Sequence, residues 1–537
     1  MVVSKTSIEI ATKNVVHFSD TDVFPRPFEL LALREAEGNF VALLEELDAN
    51  YDEWFKSYSP QHVRSQAAVG YHGFRAATQI DMLWNTYLLA LVIELSAELE
   101  NERLEPSKNI VFSYRVSIDT SKGTLFDKNY NWQSFNQTAE VLASDASHVL
   151  ITDIADFYGR IYHHRLENAL NKLKPTSPLI QKRIMDLVSK IAGVASYGLP
   201  VGGPAARLLS ELLLNRVDRL LRADGVNFIR FVDDFRIFAE SEEQAYRALV
   251  TLSDFLQRNE GLTLNRSKTR ILSTREFLST STVNVDDSTE SSDDAELRDF
   301  MKLRLKFDPY SPTADEDYEA LVSELKKFDV VGLLMRETRK SRIDERVTRQ
   351  LLNSIRHLGE PTRNAAIESM LENLSVLYPV FPSVMTLILA SFDKLDTAVK
   401  LKTLNTVNSL IADGSYITQV PANLAFALRV LAFDKSEETD AVLSKLYQST
   451  TDMMIRRDII FVMTFRESEW WISNLKDSFP TFTPWEKSAY ICASYILDDE
   501  GKHWRGSVKE TFDPYSSFVR EWASMNKQAN GKLLLKP

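Results

Sequence analysis

The segment FIRFVDDFRIFAE, residues 228–240, constrains the chain more than any other. Two short β-rich, apolar halves meet across Asp233-Asp234, which reads as an antiparallel hairpin with the aspartates at its turn. Well upstream, HVLITDI (148–154) has the length and apolar content of a buried strand and carries Asp153 near its end. Strand ends deliver side chains to one edge of a sheet with little freedom. Two carboxylates supplied in this way are hard oxygen ligands suited to a pair of Mg²⁺ ions about 4 Å apart. Such a pair serves nucleotidyl transfer, one ion activating a hydroxyl and the other stabilising the departing pyrophosphate. Paired aspartates also make good β-turns, so the Asp-Asp pair alone establishes no chemistry.

The flanking segments read as an α+β unit. Residues 30–105 carry the three- and four-residue apolar spacing of helices, in LLALREAEGNFVALLEEL and again in DMLWNTYLLALVIELSAEL. NIVFSYRVSID (109–119) looks like a strand, and a long helix is expected over 163–191. The Gly/Pro-rich turn YGLPVGGP (197–204) then places Pro204 where a helix would start. A helix over 241–259 and a strand-like LTLNRSKTRIL complete this β-rich core. TSTVNVDDSTESSDDA (280–295) is nearly free of apolar residues and is the expected domain boundary. Beyond it the chain reads as successive helices, with a helix start written in Thr483-Pro-Trp-Glu486, and suggests a HEAT-like array without a strict period.

Charge limits the ways this chain can meet a polyanion. With 63 Lys+Arg against 75 Asp+Glu the formal net charge is −12, whereas proteins that grip long nucleic acids non-specifically are usually basic. Any such function must rest on a local site. A single cysteine, Cys492, excludes a disulfide framework or a Cys-based zinc site and fits a reducing cytoplasm; its apolar helix makes it a core residue. The N-terminus lacks the hydrophobic core of a signal peptide, and the apolar run Tyr87 to Ile93 is too short to span a bilayer, so a cytosolic protein with no membrane partner is expected. Adjacent His163 and His164 point to different sides of a helix and read as structural or phosphate-facing, not as metal ligands.

The order of four motifs changes the reading of the aspartates. LITDIADFY, YGLPVGGPAARLL, FVDDF and GLTLNRSKT, spread over residues 148–270, resemble motifs A, B, C and D of reverse transcriptases. IADFYGRIYHHRLENAL, the LPVGGPAARLLSELLL form of motif B and the helical C-terminal half look like the abortive-infection (Abi) polymerases of bacterial antiphage defence, of the prophage-encoded type. The resemblance implies a helical N-terminal/fingers region (1–105), a palm (106–280), an acidic linker (281–300) and a C-terminal helical-repeat domain (301–537). It also implies that Asp153, Asp233 and Asp234 hold two Mg²⁺ ions, with Mn²⁺ able to substitute, Asp153 and Asp233 being the principal ligands. Tyr158 falls where reverse transcriptases place the aromatic gate against a 2′-hydroxyl, though a core aromatic fits equally well. Lys268 matches the motif D lysine that meets the leaving pyrophosphate; a solvated lysine is the plain alternative. Arg115 lies where fingers present a cation to the triphosphate, and strand-surface arginine is the alternative. Gly202 belongs to the nucleotide-facing turn of motif B, and Asp156 structures its own turn.

Two departures bear on the reaction. Templated enzymes commonly carry glutamine after the motif B proline, whereas this chain has Pro200-Val201-Gly202. No strongly basic thumb is evident in the C-terminal half. Both agree with what the Abi resemblance implies: DNA made from dNTPs without a template, primed from a protein side chain, by a homo-oligomer in the bacterial cytoplasm. The single-stranded product would stay covalently attached. A phenol, with an ordinary pKa near 10, is an apt primer, and a mobile polar segment suits it, so Tyr51, Tyr58 and Tyr71 are the expected candidates. The alternatives are a templated RNA-directed DNA polymerase of a retroelement, and a helical-repeat interaction protein with an inactive polymerase domain. The second is disfavoured by three intact aspartates.

Overall fold

The computed structural model describes residues 2–174, 178–281, 296–297, 299–301, 303 and 321–536. The first strands are β1 (His62–Val69) and β2 (Gly73–Ile80), an antiparallel hairpin in which Arg64 faces Thr78 and Ala68 faces Phe74. This hairpin interrupts the region expected to be helical. The reason is local: HVRSQAAV and GFRAATQI hold β alternation around a turn whose Gly70 takes φ 63°, a conformation that side chains resist. A two-stranded hairpin is marginal alone, and the helix Pro421–Leu431 packs on β1. A second small hairpin joins β3 (Val116–Asp119) to β4 (Thr124–Phe126). The strand expected over 109–119 is therefore short, because Tyr114 adopts φ 47° and breaks the extended run just before it.

The central sheet contains β5 (His148–Asp153), β6 (Phe228–Phe231), β7 (Asp234–Ala239) and β8 (Arg270–Ser273), in the antiparallel order β6-β7-β5-β8. Both faces are covered, which explains the apolar runs of β5 and β7. Val149, Ile229 and Phe238 pack with Phe135 and Ala139 of the helix Trp132–Ser144. Leu150, Phe235 and Ile237 turn the other way, into a core shared with Leu252 and Leu256 of Glu242–Glu260. The helix Pro204–Ala223 starts at the proline as expected, its first-turn N–H being dispensable there, and packs against Glu242–Glu260. The long helix expected over 163–191 is two, His163–Leu170 and Pro178–Ala192, with residues 175–177 outside the described set. The proposed acidic boundary likewise lies mostly outside the described residues.

The C-terminal half is helical from Val330 to Asn530. Alternate helices Phe381–Ser391, Pro421–Leu431, Met453–Phe465, Pro484–Ala493 and Pro514–Asn530 each pack on the next. The capping box at Thr483 forms, its Oγ1 accepting from Glu486 N at 3.3 Å while Thr483 N donates to Glu486 at 3.1 Å. This half docks on the N-terminal region. Phe461 stacks on Phe28 at 5.9 Å, Tyr515 meets Tyr58 at 5.7 Å, and Trp522 Nε1 donates to Glu35 at 2.8 Å. Buried Arg457 pairs with Asp458 at 3.0 Å and donates to Gln79 at 3.3 Å; Gln79 in turn donates to Asp20 at 2.9 Å. Among the described residues no single helix is long and apolar enough to cross a membrane.

Candidate active site

Asp153, the last residue of β5, is the register partner of Asp234, the first residue of β7. Directly opposed residues of an antiparallel pair project to the same face, so the sheet itself brings these two carboxylates together. Phe231 and Asp234 close the hairpin, leaving Val232-Asp233 as a two-residue turn. Val232 sits at φ 55°, an outlier for a β-branched residue that costs about 1–3 kcal/mol.

What holds that turn lies beneath it. Arg230 donates to the Val232 carbonyl at 2.7 Å, and Val232 N donates to Ser113 Oγ at 2.9 Å. The same Arg230 guanidinium, fully buried, grips Asp218 at 2.5 and 2.8 Å and Glu211 at 3.0 Å, both on the helix Pro204–Ala223. Ser113 Oγ donates to Glu211 at 2.5 Å, and Arg103 pairs with Glu211 at 2.9 Å. Two arginines and two carboxylates thus neutralise one another in a dry core, the arrangement in which buried charge is tolerated.

The aspartates themselves are poorly neutralised. Burial and the adjacent Asp234 charge push the Asp233 carboxyl up to about 6, and burial raises Asp234 as well. Lys268 Nζ lies 2.5 Å from Asp153 Oδ2, a contact that raises the lysine pKa, and Arg236 is 3.8 Å from Asp234. The other oxygen, Asp153 Oδ1, is buried with no hydrogen-bond partner. Among the described residues no three His, Cys, Asp or Glu side chains converge as a ready-made metal cluster. The donor set nevertheless fits a divalent cation, which would supply Asp153 Oδ1 with its missing partner and relieve the charge at Asp233.

Around this centre the other expected residues fall into two groups. Tyr158 is half-buried, its hydroxyl engaged with Ser210 and Tyr114, and burial raises its pKa well above 10. Asp156 takes φ 48° at the start of the turn Phe157–Arg160 and pairs with Arg160 at 3.5 Å. Gly202, at φ 128°, packs so closely that any Cβ would collide with Thr21 Oγ1, and it borders a cavity of about 400 Å³ with Arg207, Phe18 and Leu125. Val201 meets the β1–β2 hairpin through its carbonyl, which accepts from Thr78 N at 3.4 Å.

The second group is corrected by burial. Arg115 is 2% exposed and committed to Glu100 at 2.8 Å and to the Leu104 and Val111 carbonyls at 2.7 and 3.1 Å, so it presents no free cation to a triphosphate. Tyr51 is packed among Phe55, Trp84 and Tyr87 under the Arg183 guanidinium, and Tyr58 is buried against Trp54 and Tyr515. Burial raises both phenols. Tyr71 is half-buried; its hydroxyl donates to the Val376 carbonyl at 2.7 Å and accepts from Ile343 N at 3.0 Å. None of the three lies on the free polar segment expected of a primer: aromatic residues near Gly, Ser and Asp look exposed in sequence but are recruited by distant helices. His163 Nε2 bonds the Gly198 carbonyl at 2.9 Å, and Cys492 is buried.

Residues 100–286 match the family model described as reverse transcriptase (RNA-dependent DNA polymerase). This segment is a reverse transcriptase domain. Its family is one of nucleotidyltransferases, and the aspartate pair of β5 and β7 lies within the matched span. Among solved structures, telomerase from Candida albicans in complex with a fragment of telomeric RNA is 13% identical over 75% of this chain and 66% of that one, with a TM-score of 0.27. Apo telomerase from Candida tropicalis is 13% identical over 77% and 73%, with a TM-score of 0.29. Similarity of that degree says nothing about substrate. No curated protein matches the chain.

Sequence reasoning missed the support of the reverse transcriptase domain: Ser113, Glu211, Asp218 and Arg230. A signal was present. Glu211 and Asp218 interrupt the apolar stripe of ELLLNRVDRLL at a spacing that keeps them on one helix face, and Arg230 lies inside an apolar strand. Charged residues at buried positions of opposite sign are candidates for each other.

Proposed function

We propose that the chain is a DNA polymerase whose reaction centres on Asp153, Asp233 and Asp234, adding dNTPs without a template. The observation that carries the chemistry is the register pairing of Asp153 with Asp234, together with the unpartnered Asp153 Oδ1 and the charge crowding at Asp233. Two Mg²⁺ ions bound there, or Mn²⁺ in their place, would supply Lewis acidity for the attacking hydroxyl and the pyrophosphate. The chain's own part is to fix the carboxylates. Strand pairing orients Asp153 and Asp234, and the Arg230–Ser113 clamp holds the turn that carries Asp233. Lys268, paired with Asp153, neutralises an anion in this reading once Asp153 is otherwise engaged. In this reading the Tyr158 ring packs under the incoming sugar, a role supported by the motif A resemblance.

Template independence is supported by Val201, whose side chain offers no hydrogen bond to a base or sugar, and by the acidic chain. The motif resemblance supports a role in abortive infection in bacterial cytoplasm, a homo-oligomeric assembly, and a HEAT-like reading of the C-terminal helix row. It also supports protein priming. Of the three candidate tyrosines only Tyr71 keeps a partly accessible ring, and its use requires the contacts to Val376 and Ile343 to open. The second reading, templated RNA-directed synthesis, is favoured by the description of the matched family. Purified protein with Mg²⁺ and labelled dNTPs, with and without an RNA template and primer, separates the two. Protein-linked product without template supports the first; product only with template establishes the second.

A further inference from the structure

A stripe of exposed aromatic rings and unpaired cations runs from the β1–β2 hairpin to the loop that enters motif B. Tyr162 and Tyr197 are partners in an isolated antiparallel bridge. Residues so paired send their side chains to one side, with Cβ atoms about 4.5–5.5 Å apart. Both rings stay in solvent, at 43% and 45% exposure. Next to Tyr197, Gly198 takes φ 99° and lets Arg64 approach; a Cβ there would stand 3.3 Å from the Arg64 Nη2. Arg64 lies on the exposed face of β1 with Gln66, and Phe74, 54% exposed, continues that face through its register partner Ala68. Lys190, exposed on the helix Pro178–Ala192, is the second cation besides Arg64 whose charge acts on His62 at the start of that same β1 face, after burial, in lowering its pKa.

Charge marks this stripe out from the rest of a chain of net charge −12. Neither Arg64 nor Lys190 has a carboxylate partner among the described residues. The acids nearby are already engaged, Asp156 with Arg160 at 3.5 Å and Glu167 with His164 at 3.6 Å. Exposed rings alternating with free cations are what a single-stranded nucleic acid requires, since any base can stack and the phosphates want positive charge. A duplex offers no base faces to these rings.

We propose that Tyr162, Tyr197, Phe74, Arg64 and Lys190 form a stacking track for single-stranded DNA, carrying the strand along the fingers-side hairpin beside motifs A and B. The proposal rests on the polymerase reading for its biological meaning, but binding is measurable without chemistry.

The test is fluorescence anisotropy of a short labelled oligo(dT) on the full-length protein in EDTA without dNTPs, titrated at several salt concentrations. Wild-type protein should bind it in preference to a duplex of equal length. Tyr162→Ala with Tyr197→Ala should weaken binding about tenfold or more, and Tyr162→Phe with Tyr197→Phe should restore most of it, because the ring does the stacking. Arg64→Ala with Lys190→Ala should reduce the slope of log K against log salt by about 1.4. All four side chains changed are exposed, and circular dichroism melts verify the fold. Equal affinity of the Tyr→Ala variant and wild type, or no binding by wild type, would overturn the track. Incorporation assays on the same proteins report separately on the polymerase reading, which stands or falls on the aspartates.

Discussion

Arg230 reaches back over one residue to the Val232 carbonyl, 2.7 Å away, while both its terminal nitrogens also serve carboxylates of a neighbouring helix. The strained turn that carries Asp233 is thereby tied to Glu211 and Asp218. Arg230→Met should remove the clamp and leave two buried carboxylates short of a counter-charge, destabilising the protein by about 3–5 kcal/mol in urea unfolding. Activity measured well below the new midpoint should still be reduced, since the turn is no longer held. A variant of wild-type stability and activity would refute the clamp.

Replacing Asp233 and Asp234 by asparagine together should abolish nucleotide incorporation. The same change should leave Tm unaltered or raise it, because burial and mutual repulsion already disfavour the two charges, as the Asp233 value of about 6 shows. Labelled-dNTP incorporation and calorimetry check the two halves independently. Incorporation at the wild-type rate would end the proposal that these carboxylates hold the metal ions.

Tyr158→Ala should open space beside the nucleotide sugar and relax discrimination against ribonucleotides. Tyr158→Phe keeps the ring and loses only the hydroxyl contacts to Ser210 and Tyr114, so it should discriminate nearly as wild type does. Steady-state kinetics with dNTP and rNTP pairs provide the ratio. An unchanged ratio in the alanine variant would make Tyr158 a packing residue.

Glu260 gives a pH dependence with a definite sign. Burial pushes its carboxyl from 4.5 up to about 7, despite the opposing charges of Arg216, Arg165 and Lys172. Between these values the unfolded chain has released the proton and the folded chain retains it, so stability falls as pH rises from about 4.5 to 7 and then levels off. Ionising the group costs the folded state about 3 kcal/mol. Glu260→Gln should therefore be more stable than wild type at pH 8 and show a flatter Tm profile across that window. A wild-type profile in the glutamine variant would exclude Glu260 as the source.

Deleting residues 301–537 should yield an insoluble or inactive fragment. Phe28, Phe40 and Tyr58 would lose Phe461, Phe518 and Tyr515, and Glu35 and Gln79 their partners Trp522 and Arg457. Exposing each large ring costs about 1.5–3 kcal/mol. A soluble 1–300 fragment with full incorporation would show that the helical half is dispensable.

The sequence by itself determined the elements whose signals are local. The hairpin of Phe228–Ala239, the strand ending at Asp153, the helix opening at Pro204 and the capping box at Thr483 each follow from period, turn chemistry or cap grammar within a few residues. Tertiary structure decided everything that depends on which distant surface covers a segment. The hairpin of residues 62–80, local in its own signal, has one strand covered by a C-terminal helix that no local pattern names, and Tyr51, Tyr58 and Arg115 were buried by partners far away in sequence or across an irregular loop. The pairing of Asp153 with Asp234 needed strand order, and the Arg230 network needed a helix laid beneath a turn. Periodicity reports which face of an element is apolar; it carries no address for the partner that will cover that face, and burial, charge pairing and accessibility are all set by that address.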